Sequence, residues 1–227
     1  MPVDPAAFVQ QGRKIVAIGR NYAEHIKELS NDAPKEPMFF IKPTTSYLPS
    51  GGNVEIPRGV TAHYEVELGL VVGKTGRDIS QADAVAHVAG YALAVDMTAR
   101  NMQDVVKKKG HPWSAVKGFD TFTPISLSRS GWGVWFNGRP DCVGERCHEA
   151  GRQHQPDDFQ DPAHAEHISS IMTLEAGDLV LTGTPSGVGP LVPGDHVACT
   201  LTDSSGTQLA ALEFRAVQRE GGYSFQP

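Results

Sequence analysis

Cysteine is scarce: three residues in 227, an odd count with no paired framework, which excludes a disulfide-stapled scaffold and fits a reducing compartment. Long hydrophobic runs are missing, so no stretch reads as a membrane span. Met1 to Arg13 has neither the apolar core of a secretory signal nor an Arg- and Ser-rich transit character. The expectation is a soluble, cytoplasmic protein, with the mitochondrial matrix left open. Basic blocks are missing too, and the net charge is -6, which argues against nucleic acid or an acidic membrane as partner. There are no internal repeats or low-complexity tracts. The glycine-rich run Thr182 to Gly189 lacks the Gly-Lys-Ser/Thr of a nucleotide loop, although its hydroxyls and N–H groups could receive a carboxylate.

What is present suits one globular domain spanning residues 1–227, with 40% hydrophobic content. Its organising stretch is His63-Tyr64-Glu65-Val66-Glu67-Leu68-Gly69-Leu70-Val71-Val72-Gly73-Lys74, which puts two acids inside a run that otherwise reads as a buried strand. Alternation sends Glu65 and Glu67 to one face, about 7 Å apart, with Val66 and Leu68 on the other. Glu is depleted in strands, and two buried acids repel unless a cation relieves them. A hard divalent ion would do so; the bland alternative is a half-wet strand face.

Around that strand, Lys14 to Gly19 reads as a first strand and Asn21 to Leu29 as a short helix on which His25 and Glu28 share a face. Met38 to Ile41 reads as a strand stopped at Lys42-Pro43, and Ser80 with Asp83 as a box opening a helix over Gln81 to Val88. Tyr91 to Val95 is a further strand ending at Asp96, which could cap the helix Ala99 to Lys109 or serve as a ligand. On that helix Arg100, Gln103 and Asp104 share a face. His111 to Asp120 reads as a loop in which Lys117, between Trp113 and Phe119, could act as a fixed cation for a developing oxyanion. Ile168 to Leu174 looks helical, Asp178 to Leu181 is a strand, and Val197 to Val217 a hairpin.

Taken in order, Gly19-Arg20-Asn21-Tyr22 with His25 and Glu28, Phe40-Ile41-Lys42-Pro43, Glu65-x-Glu67, Asp96, Lys117-Gly118-Phe119-Asp120 and Leu181-Thr182-Gly183-Thr184-Pro185 resemble the fumarylacetoacetate hydrolase family, in its branch of acylpyruvate hydrolases and oxaloacetate decarboxylases. The resemblance implies an α+β fold, a mixed β-sandwich roll with short flanking helices, in a homodimer acting on a small 2-oxo acid. It places Mg²⁺ or Mn²⁺ on Glu65, Glu67 and Asp96, a donor set that suits a hard ion rather than zinc. It makes His25, oriented by Glu28, the activator of water, and Lys117 the partner of the developing enolate. Gln103, Thr184 and Arg20 become substrate contacts. Two other readings remain: an isomerase or decarboxylase of aromatic ring-cleavage products, and a non-catalytic metal-binding member. A second metal site on Cys142, Cys147, His148 and His154 matches no zinc spacing.

One stretch, residues 126–166, departs from the family although both flanks follow it. Arg139 to Asp161 is polar and has neither period. Read one base downstream, Asp157 to Pro162 permits Met-Ile-Phe-Lys-Ile, and Glu145 to Gly151 permits Asn-Gly-x-x-Arg-Gln, both of which resemble the family's segments here. The expectation is a segment translated out of frame between two compensating shifts, by an error in the gene reading or a real mutation; if the written residues are real, it should appear as irregular, exposed or poorly determined chain beside an intact metal site.

Overall fold

The computed structural model describes residues 7–19, 37–126, 138–143 (backbone only), 161–184, 187–203 and 207–226. Fourteen strands are named here in chain order: β1 Ile15–Gly19, β2 Met38–Lys42, β3 Tyr47–Pro49, β4 Asn53–Ile56, β5 Ala62–Tyr64, β6 Val66–Val72, β7 Val88–Val95, β8 Thr98–Ala99, β9 Thr123–Ile125, β10 Gly138–Val143, β11 Leu179–Leu181, β12 Gly189–Leu191, β13 His196–Asp203 and β14 Gln208–Gln218. They form a seven-stranded mixed sheet, β2-β1-β11-β6-β7-β9-β3, a four-stranded sheet, β10-β13-β14-β4, and a three-stranded sheet, β12-β5-β8. Short helices flank them, the longest among the described residues being Arg100–Lys109 and Asp161–Ile171. This is the α+β arrangement of mixed sheets and few helices that the resemblance implied.

β6 is buried along its whole length, as a central strand covered on both faces must be. Val66 and Leu68 pack with Leu93, Val95, Leu212 and Phe214 between the large and the four-stranded sheet. Val71 packs with Ile15, Ala17 and Leu179 in a second cluster. The parallel pair β1/β11 is pinned by Asp178, whose Oδ1 accepts the N–H groups of Arg13 and Lys14 at 3.0 and 3.2 Å, and whose Oδ2 accepts that of Glu175 at 2.8 Å. The Lys14 ammonium completes its charge balance at 2.5 Å.

Several local expectations need correction. The organising run is not one strand: β5 and β6 belong to different sheets, and Glu65 stands at the break. Ser80 does bond Asp83, at 2.8 Å between side chains, but the helix expected over Gln81 to Val88 is a 3-10 turn, Ala84–His87. β2 runs through Lys42 instead of stopping before it, because that side chain turns into the protein while Ile41 faces out. The loop from His111 contains a helical turn, Ser114–Lys117. Arg100–Lys109 ends as the sequence implies, on Gly110 at φ 65°, a conformation glycine adopts without strain.

Of the stretch 126–166, residues 127–137 and 144–160 lie outside the described residues, as do the side chains of Cys142, Cys147, His148 and His154. Where irregular chain was expected, Gly138–Val143 forms a strand paired antiparallel with β13. The helix Asp161–Ile171 starts seven residues earlier than the expected Ile168. It buries His164 to 4% exposure at a cavity lined also by Ile18, Leu70, Ile79, Leu174 and Val180, and the His164 Nδ1 has no hydrogen-bond partner. An apolar side chain belongs at such a position. The shifted frame permits one, since the codons of His164 and Ala165 read one base downstream give Met or Thr.

His164→Met should therefore stabilise the fold, by about 1–3 kcal/mol near neutral pH. Burial, helped by His167, pushes the His164 imidazole down to about 4 from its ordinary 6.5. A depressed value contributes stability that is present above the ordinary value and lost as pH falls through about 4. Urea melts at pH 7 and pH 5 should thus show a smaller acid loss in the variant; equal losses would contradict the burial argument. Resequencing the gene across codons 126–166 tests the frame directly.

Candidate metal centre

The β6/β7 ladder builds the site. Val66 pairs with Val95 and Glu67 with Ala94, and the Asp96 N–H continues the ladder to the Glu65 carbonyl at 2.8 Å. Residues opposite each other in an antiparallel pair share a face, so Asp96 joins Glu65, and Glu67 follows two positions on. One ligand atom from each of Glu65, Glu67 and Asp96 lies within 4.8 Å of the others, and all three residues are buried.

Three cations surround the three acids. Lys117, 1% exposed, bonds Glu65 Oε2 at 2.9 Å and also Asp96 Oδ2. Lys42, with no exposure, bonds Asp96 Oδ1 at 2.5 Å and the Phe122 carbonyl at 2.7 Å. Arg100 reaches Glu65 Oε1 at 2.5 Å, joined there by the Thr98 hydroxyl at 2.9 Å. Its other amino group donates to Gln103 Oε1 at 2.7 Å, tying that buried amide to the cluster.

The two lysines are displaced in opposite directions. Burial pulls the Lys117 ammonium down, but Asp96 and Glu65 together outweigh it and hold its value above the usual one. Burial dominates at Lys42, where Asp96 supports the charge and Lys117 opposes it, so that value falls. Glu67 is the least compensated acid. Burial raises its carboxyl well above the usual range, Asp96 and Glu65 add to the rise, and Lys117 with the Gly183 N–H only partly offsets it.

That N–H meets Glu67 Oε2 at 2.9 Å, and Gly183 turns it inward from φ 92°, a left-handed conformation that a side chain would strain. Asp178 makes a useful contrast. It is equally buried, yet collects three backbone N–H groups and a lysine, as a purely structural carboxylate should. Glu67 has one backbone donor, in an all-oxygen cluster of the kind hard divalent cations complete. The residues present therefore fit Mg²⁺ or Mn²⁺.

Lys117 is the buried cation the sequence suggested, although its aromatic neighbour is different. Its Nζ lies 5.1 Å from the Phe40 ring, Trp113 packs on Phe40 at 5.4 Å, and Phe119 stacks instead with Phe122 and Tyr223. Thr184 sits beside the cluster, but its hydroxyl donates to the Val66 carbonyl at 2.9 Å. The glycine-rich turn thus receives a carboxylate, as expected, and that carboxylate is the protein's own Glu67. Asp96 caps no helix: the residue preceding Arg100–Lys109 is Ala99, with no side-chain cap. Arg20, His25 and Glu28 lie outside the described residues.

Sequence reasoning missed Lys42 and the link from Arg100 to Glu65. The signal for Lys42 was a lysine two residues after Phe40, on the face of β2 that turns inward.

Three buried acids on one side of the β6/β7 ladder, closed in by Lys42 from β2, Arg100 from the helix Arg100–Lys109 and Lys117 from the turn Ser114–Lys117, make an all-carboxylate site of the kind found in enzymes that use a hard divalent cation. The sequence model described as fumarylacetoacetate (FAA) hydrolase C-terminal matches residues 14–130 and 159–217, and the chain belongs to that family. It is 49% identical over 205 residues to an oxaloacetate decarboxylase, mitochondrial, of Dictyostelium discoideum, covering 86% of this chain and 91% of the relative. An oxaloacetate tautomerase, mitochondrial, of Saccharomyces cerevisiae is 39% identical over 254 residues, covering 96% and 98%. The fold superposes on the fumarylpyruvate hydrolase of Pseudomonas aeruginosa in complex with Mn²⁺ and pyruvate, with TM-score 0.79 and 32% identity, over 92% of this chain and 91% of that one. The family match skips residues 131–158, inside the stretch that departs from the pattern.

Proposed function

We propose that this chain is a divalent-metal-dependent enzyme that cleaves a C–C bond in 2-oxo acids, hydrolysing acylpyruvates to pyruvate and a carboxylic acid, decarboxylating oxaloacetate, or both. The observation that carries the reading is Glu67: a fully buried acid with one backbone donor, within ligand distance of Glu65 and Asp96. Glu65, Glu67 and Asp96 would hold Mg²⁺ or Mn²⁺, which when bound supplies Lewis-acid polarisation of the ketone beside the substrate carboxylate. Lys117, fixed at the edge of the cluster, places an ammonium where the enolate charge develops. Burial removes competing water, so that charge–charge contact is stronger than in solvent. Gln103 is assigned the substrate carboxylate, with Thr184 and Arg20 as further proposed contacts. His25, oriented by Glu28, takes a proton from water as that water attacks the distal carbonyl of an acylpyruvate.

Loss of CO₂ from oxaloacetate gives the same enolate without water attack, so one set of residues serves both reactions. The relatives' names also point to a third reaction, enol–keto exchange of oxaloacetate, which would pass through oxaloacetate's own enolate, formed and reprotonated at C3 with both carboxylates retained. The active unit is proposed to be a homodimer: light scattering should give twice the 24.4 kDa mass of the chain, and a single-chain mass would contradict it. Its compartment is the cytoplasm or the mitochondrial matrix; several relatives carry the designation mitochondrial, and no helix among the described residues is long and apolar enough to cross a membrane.

Chelator-stripped protein should release pyruvate from acetylpyruvate only after Mg²⁺ or Mn²⁺ is restored. With oxaloacetate, proton NMR separates pyruvate formation from enol–keto exchange. Pyruvate release at the full rate without metal would overturn the proposal, and exchange without release would select the tautomerase reading.

A further inference from the structure

Lys42 has no part in the chemistry derived above, yet it is fully buried against a candidate ligand. A buried ion pair is a poor way to gain stability, since desolvation consumes most of the Coulomb attraction. The strand has an apolar alternative at hand: Ile41, next to it, is 36% exposed. Lys42 is also anchored from outside the cluster, by the Phe122 carbonyl just before β9.

Each acid of the triad has one oxygen fastened by such a donor. Lys42 holds Asp96 Oδ1, Arg100 and Thr98 hold Glu65 Oε1, and the Gly183 N–H holds Glu67 Oε2. Lys117 differs, because its two carboxylate bonds go to the opposite oxygens, Asp96 Oδ2 and Glu65 Oε2. A carboxylate with both oxygens available can grip a cation with both and occupy two of its positions. A strong hydrogen bond on one oxygen biases the carboxylate toward offering the other, which at Asp96 and Glu65 is the oxygen that Lys117 holds.

We propose that Lys42 is a positioning residue that withholds Asp96 Oδ1 from the metal, so that the triad supplies three single-oxygen ligands and leaves half of an octahedral shell for a chelating ligand. The inference rests on the metal reading of the site and adds the reason the shell stays open. A 2-oxo acid presents two oxygens, carboxylate and ketone, and needs two adjacent open positions. Without Lys42, Asp96 is free to close one of them.

The test is the number of exchangeable waters on bound Mn²⁺, read by ¹⁷O-water EPR line broadening, with oxalate binding by calorimetry as the chelating probe. Wild type should show three waters and lose two on oxalate addition. Lys42→Met should show one fewer water and bind oxalate about 10–100-fold more weakly. Its Mn²⁺ affinity should hold or rise, because one positive charge near the ion is gone. A merely supportive lysine predicts instead that Mn²⁺ affinity falls and the water count stays. Unchanged water count and oxalate affinity in Lys42→Met would overturn the inference. So would a wild-type count below three, which decides the matter even if the variant does not fold. Failure of wild type to bind Mn²⁺ at all would remove the metal reading itself, a different result from a full-affinity site with the wrong water count.

Discussion

Glu67→Gln should abolish turnover, lowering kcat/KM by about three orders of magnitude, while leaving the metal-free fold as stable as wild type or more so. The two halves of that result have one cause. Glu67 is buried among Asp96 and Glu65, and its carboxyl is raised well above the ordinary value of 4.5, first by burial and then by those neighbours. Between the ordinary and the raised value, the metal-free folded state is therefore more protonated there than the unfolded chain. Stability from such a group is fully present below the ordinary value and is lost as pH rises through the raised one. Gln imitates the protonated acid, so the variant escapes that loss, and its advantage over wild type should widen with rising pH. Metal binding runs the other way, since the ligand must be ionised, and wild-type affinity should climb over the same window. Urea melts of chelator-stripped proteins across pH, with activity measured alongside, test both halves. A variant that falls behind wild type in stability as pH rises, or that keeps its turnover, contradicts the role given to Glu67.

The second large effect separates the two reactions. Lys117→Ala should reduce acylpyruvate hydrolysis and oxaloacetate decarboxylation alike, by about 10²–10³, because in the proposed mechanism both develop an enolate that this ammonium would face. His25→Ala should cost hydrolysis about 10²–10⁴ and decarboxylation less than about tenfold, since only hydrolysis needs an activated water. Removing Lys117 also leaves Asp96 and Glu65 each short of one buried partner, so a loss of stability of about 3–5 kcal/mol is expected and should be measured with the kinetics. Equal loss of both activities in His25→Ala would end the division of labour, and intact decarboxylation in Lys117→Ala would remove the lysine from the common step.

The grouping of the three acids was legible because strand alternation places Glu65 and Glu67 on one side, and because an acid closing an apolar strand, Asp96, needs an explanation. The path to that geometry was not. The chain breaks at Glu65, and the residue still faces the site because the Asp96 N–H bonds its carbonyl, a contact between strands that no local pattern encodes. Lys42 was hidden for a similar reason. A lysine before proline at a strand end reads as surface, and only pairing of β2 with β1 and the approach of Phe122 bury it. Thr184 was legible as a neighbour of the site, whereas the partner of its hydroxyl, the Val66 carbonyl, depends on how the glycine-rich turn crosses β6. The strands β1, β7, β11 and the hairpin β13/β14 followed from their apolar runs. The helix before Val88 did not survive, because its capping pair closes a single tight turn and no apolar stripe continues beyond it.

The central claim is that Glu65, Glu67 and Asp96 form one divalent-cation site, and calorimetric titration of chelator-stripped protein with Mn²⁺ tests it most directly. Wild type should bind one ion per chain, and Glu65→Gln/Glu67→Gln should bind none at this site while keeping its fold by circular dichroism. Unchanged affinity and stoichiometry in the double variant would contradict the account.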